Sequence, residues 1–188
     1  MKILSKFFVL AFIASFFVSC GGSNDPTPTP VQKIILKTWT IPILGFAGQG
    51  ATLKDIAINL SDIPGVDASN FIKGDFQNSG GYIQISGLNK MDGAVLNNFT
   101  MQVNSSPATN LGRVTANATG TGDFASDVQQ SGNNVIDFLR TLFTAYTGKS
   151  KTATLTVTFT PSANIMPTDN VNLIIAVNGM YNWNTFPQ

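Results

Sequence analysis

The residues able to do acid–base chemistry are few. All ten acids are Asp, and the 188-residue chain contains no Glu and no His. Without His, a Ser-His-Asp triad, a Cys-His pair and a His-ligated metal are excluded. Two groups of carboxylates remain: Asp62, Asp67 and Asp75, and Asp123 with Asp127. Paired carboxylates can hydrolyse glycosides, and Asp62, Asp67, Asn70 and Asp75 could supply oxygens to Ca²⁺. Their spacing matches no EF-hand loop. Asp is also a turn and cap residue, and each of these falls in a predicted loop or ahead of a predicted helix. We therefore expect no catalytic residue, no metal and no cofactor, and the chain is read as not an enzyme.

Two other segments invite a chemical reading. Gly45-Phe-Ala-Gly48-Gln-Gly50 is glycine-rich enough for a phosphate loop, but no Lys-Ser/Thr follows. The next stretch reads as a strand, not as the helix a phosphate loop needs. Near the C-terminus, Met180-Tyr181-Asn182-Trp183-Asn184 alternates aromatics with amides. Aromatic faces stack on sugars, and Asn both donates and accepts hydrogen bonds. On a strand, Tyr181 and Trp183 share one face. They form either a ligand surface or the closing end of the core.

The lone cysteine has an address. Lys2 and Lys6 precede the apolar run Phe7–Val18, which is shorter than the roughly 20 residues a spanning helix needs. The run ends in Phe17-Val18-Ser19-Cys20-Gly21-Gly22. This resembles the lipobox of bacterial lipoproteins, with Phe17 where that class usually has Leu. The resemblance covers the first 20 residues and implies a signal peptide over 1–19 and a lipid-modified Cys20 at the mature N-terminus. Cys20 is the only cysteine, so no internal disulfide can form. Loss of Lys2 and Lys6 with the signal would move the net charge from +1 to −1. A near-neutral chain lacks the basic footprint of nucleic-acid binding. Residues 20–31 carry Thr-Pro alternation, which favours an extended polyproline tether.

The elements that must position any site come from residues 32–188, read as a single β-rich domain. Alternation of period two marks half-buried strands. It occurs at Ile56-Ile58-Leu60, Ile83-Ile85, Phe99-Met101-Val103 and, weakly, Val114-Ala116-Ala118. The clearest case sets Ala153, Leu155, Val157 and Phe159 against a row of threonines. Val171–Val177 is apolar on both faces and is placed centrally. Residues 33–43 form a further strand, with Pro42 at an edge or an end. One segment changes period: Val135, Phe138, Leu139, Leu142, Phe143 and Tyr146 follow helical spacing over about 133–147. These patterns predict an antiparallel β-sandwich-like domain with one amphipathic helix packed on a sheet.

With 18 Asn and 20 Thr against 21 charged residues, the surface is amide- and hydroxyl-rich, which suggests hydrogen bonding at the surface. The leading expectation is a non-catalytic binding or adhesion module of the cell envelope. It would be held to the outer membrane through its lipidated N-terminus, on the surface or the periplasmic face. Its partner would be a glycan or an envelope protein, and not nucleic acid. The alternative is a periplasmic carrier holding an apolar ligand between sheet and helix, in a pocket lined by Phe138, Leu142 and Phe143.

Overall fold

The computed structural model describes residues 26–43, 50–88, 95–115, 121–123 and 134–187. Cys20, the signal region, most of the glycine-rich 45–50 stretch, Asp127, Ala116 and Ala118 lie outside the described residues. Pro30–Thr185 forms a compact unit.

The described chain is mainly β, with two antiparallel sheets and one helix, as the alternation predicts. The strands are β1 (Thr29–Pro42), β2 (Ala51–Asn59), β3 (Phe71–Phe76), β4 (Tyr82–Ser86) and β5 (Val95–Val103), then β6 (Thr109–Thr115), β7 (Thr121–Asp123), β8 (Thr152–Pro161) and β9 (Asn172–Thr185). The helix α1 spans Asn134–Thr147. One sheet runs β1-β9-β4-β7, with β3 also paired to β9; the other runs β2-β8-β5-β6.

The apolar central segment is where its composition placed it. β9 is an interior strand, and two strands share its length: β4 pairs Tyr82–Ser86 with Ala176–Asn172, and β3 pairs Phe71–Phe76 with Trp183–Gly179. β1 lies at the sheet edge and ends on Pro42, as a residue without an N–H donor requires. Its Lys33 and Lys37 sit over the rings of Trp183 and Trp39, at 5.9 and 5.6 Å. Lysines and prolines on an exposed edge oppose pairing with another chain.

β8 is an interior strand of the second sheet. Ala153, Leu155, Val157 and Phe159 are buried, and the threonines lie on the opposite face. Register puts Thr52, Thr158, Thr100 and Asn110 side by side across all four strands of that sheet. Phe99 and Phe159 stack beneath it with ring centroids 5.5 Å apart.

The helix packs against both sheets. It meets β3, β4 and β9 of one sheet and β5, β6 and β8 of the other. Its stripe of Phe138, Leu139, Leu142, Phe143 and Tyr146 is buried. Two glycines make that close approach possible. A Cβ on Gly179 would drive into Phe143 Cε2, and one on Gly74 would come 2.7 Å from Phe143 Cζ. The ring of Phe143 therefore lies on bare backbone. Around it stand Phe76, Tyr146 and Tyr181, with ring centroids 5.8, 5.4 and 5.6 Å away.

Candidate functional site

The outer face of α1 has a different neighbour. Val103 ends β5, and the chain turns back through Asn104, Ser105 and Ser106 before β6. Asn104 takes a left-handed conformation (φ 51°), which Asn tolerates better than most residues. Its amide donates to Thr154 O at 2.7 Å, and its Oδ1 accepts from Thr154 N at 2.8 Å. Ser106 N closes the turn onto Val103 O at 3.0 Å, and Gln102 Nε2 donates to Ser106 O at 2.8 Å. Four bonds thus fix a short polar turn against the solvent face of the helix.

Between them runs an open groove of about 540 Å³, within the size range of small-molecule sites. One wall is Val103 to Ser106; the other is Arg140, Thr141, Thr144 and Ala145. The guanidinium of Arg140 is held at two points. Nη1 donates to Asp137 Oδ1 at 2.7 Å, one helical turn away, and Nη2 donates to Asn78 Oδ1 at 3.1 Å. Its carbon lies 5.7 Å from the centre of the Phe76 ring. A long side chain fixed in this way loses little further freedom when a ligand arrives.

The helix hydroxyls are oriented too. Thr141 Oγ1 donates to Asp137 O at 2.9 Å and Thr144 Oγ1 to Arg140 O at 2.8 Å. Each hydroxyl has spent its proton on the helix backbone, so toward the groove it offers lone pairs. The groove thus combines donors on Arg140, acceptors on two threonines and an apolar contact at Ala145.

No known protein family, curated protein or solved structure matches this chain.

The residues singled out by sequence lie elsewhere. Tyr181 and Trp183 are 0% and 3% exposed. They occupy inward-facing positions of β9, so their rings meet the core and not solvent. Tyr181 OH is 2.7 Å from Tyr146 OH, with both side chains buried. Burial raises the ionisation of both phenols, Tyr181 to about 12 and Tyr146 further still. Phe138, Leu142 and Phe143 are 2%, 0% and 2% exposed. They come together as part of the core, and the space between helix and sheet holds their own side chains.

The carboxylates serve local structure. Asp62 Oδ2 accepts from Asn59 N at 3.0 Å and Trp39 Nε1 at 3.4 Å. Asp67 accepts from Asn70 Nδ2, Asn70 N and Ser69 N. The Asn70 side chain, then the Asn70 backbone, hold its carboxyl below the ordinary range. Asp75 pairs with Lys73 at 3.4 Å, and Asp169 Oδ2 accepts from Met166 N at 2.6 Å. Among the described residues, no three acids or cysteines gather as metal ligands. Sequence reasoning missed the groove because its parts are remote in the chain: Asn78, Val103–Ser106 and 140–145 meet only in the fold. The Asp137–Arg140 spacing of i, i+3 was the one local signal.

Proposed function

We propose that the chain is a lipid-anchored binding module of the bacterial cell envelope, without catalytic chemistry, and that the groove beside α1 is where it takes its ligand. The observation that carries this reading is the held Arg140 guanidinium, half-exposed above a concave surface with oriented hydroxyls. Such convergent polar groups beside an apolar contact are the ordinary make-up of a recognition site. The anchor rests on the lipobox-like sequence ending at Cys20. A double acyl chain at that residue would give stable attachment, since one chain alone is marginal. Among the described residues, no helix is long and apolar enough to cross a membrane, and attachment in this reading depends on the lipid.

The carrier reading has no observation in its favour, because Phe143 is packed on Gly74, Gly179 and Tyr181, and Phe138 and Leu142 are buried in the core beside it. The test of the proposal is the intact mass of the membrane-extracted protein, followed by protease shaving of whole cells. Acylated Cys20 is the expected result. Loss of the domain on shaving would place the groove outside the cell, and resistance would place it on the periplasmic face. A free thiol at Cys20 would overturn the anchor.

A further inference from the structure

We propose that the groove takes a neutral, hydroxyl-rich ligand, a short stretch of uncharged oligosaccharide. This rests on the binding-module reading and names the class of its ligand. The argument is one of charge and hydrogen-bond inventory. Among the described residues, Arg140 is the only charged one lining the groove, and Asp137 balances it at 2.7 Å. An anionic ligand would gain the guanidinium but meet the exposed carboxylate beside it. A wholly apolar ligand would cover the guanidinium and the hydroxyls without pairing them, at a desolvation cost.

A neutral sugar fits both sides of the inventory. Guanidinium carries five N–H donors, of which Asp137 and Asn78 use two. The remainder can reach sugar oxygens. Thr141 and Thr144 present acceptors to sugar hydroxyls. Ser105 Oγ, with no hydrogen-bond partner among the described residues, can do either. A C–H face of the sugar would rest on Ala145.

The test uses the full mature protein extracted in detergent, probed on an array of neutral, uronate-containing, sialylated and sulfated oligosaccharides. The best neutral binder is then titrated calorimetrically. Wild type is expected to select neutral glycans. Arg140→Lys keeps the charge but loses the fork, and affinity should fall about tenfold. Thr144→Trp and Ser105→Trp fill the groove from opposite walls, and either one, shown folded by circular dichroism, should abolish binding. Asp137→Asn should weaken neutral binding and admit acidic glycans, which a merely structural ion pair would not do. Thr52→Trp, exposed on β2 and away from the groove lining, should bind as wild type does.

Selection of acidic glycans by wild type would overturn the proposal. So would an absence of glycan binding, or neutral binding that survives both groove-filling variants. In those cases an acylated Cys20 still supports the module. A free Cys20 with groove-dependent sugar binding would overturn the anchor and keep the ligand.

Discussion

The two faces of α1 are built on opposite principles. The inner face carries large apolar side chains into a seat with no spare volume, where even a methyl group on Gly179 has nowhere to go. The outer face carries short polar side chains whose protons are already spent on the helix backbone, and it opens to solvent beside a rigid turn. One element, with a period of 3.6, thus belongs to the core on one side and to the candidate site on the other. Substitutions on the inner face should change stability, because packing is lost there. Those on the outer face should change recognition, because exposed groups contribute little to folding.

The largest effect should come from Phe143→Ala. It removes the ring that fills the glycine-floored seat and that touches Phe76, Tyr146 and Tyr181. Loss of a buried Phe costs about 3–5 kcal/mol through transfer and cavity terms together. Urea unfolding followed by fluorescence should show the unfolding free energy falling by that amount; a change below about 1 kcal/mol would mean that the seat is not tightly packed. Gly179→Ala attacks the same contact from the other side. The new methyl must push Phe143 off the sheet, at a cost of about 1–3 kcal/mol. Combining it with Phe143→Leu should recover part of the loss, since the two substitutions share one space.

Next comes the phenol pair. Tyr146→Phe leaves Tyr181 OH buried without its partner, and Tyr181→Phe does the converse, each at about 1–3 kcal/mol. The double substitution should cost less than the two single ones added, because no hydroxyl is then left stranded. The pair also sets an alkaline limit. Both phenols ionise at higher pH folded than unfolded, so their contribution is complete below pH 10, the ordinary value for tyrosine. Above it, the unfolded chain releases protons that the folded chain keeps. Stability should then fall by up to about 1.4 kcal/mol per pH unit for each phenol as the pH approaches 12. In the double Phe variant that part of the decline should be absent; an unchanged alkaline profile would show that these phenols do not set the limit.

The sequence was most legible where one periodicity ran unbroken. Threonine against aliphatic residues along 152–160 gave β8 and its faces, and the apolar run at 171–177 gave an interior strand. The helix spacing gave α1 to within a residue of its observed start. β3 was not legible, because Phe71-Ile-Lys-Gly-Asp-Phe76 has no clean alternation and carries a bulge between Phe71 and Lys73. β7 was hidden for a related reason: Thr121–Asp123 overlaps a Gly-rich stretch that reads as a turn. By sequence Tyr181 and Trp183 stand out as a separate aromatic segment, yet they continue β9. Their burial depends on β3 and on the helix above them, which no local pattern announces. Nothing in the local sequence marks Gly74 and Gly179 as the seat of a ring. Their role follows only from the ring of Phe143, which lies far from both in sequence.

The smallest change in stability, and the sharpest separation of the two faces, should come from Thr141→Ala with Thr144→Ala. Each threonine bonds back to the carbonyl four residues earlier, an arrangement that slightly weakens a helix. Ala is the better helix former, and neither threonine carries the buried stripe. The unfolding free energy should therefore stay within about 0.5 kcal/mol of wild type or rise. The double variant should lose the acceptors that line one wall of the groove, and with them affinity for a neutral sugar. A fall in stability above 1 kcal/mol would show that these residues support the fold, and the division between the faces of α1 would fail at that point. Stability held while binding falls would place recognition on the outer face alone.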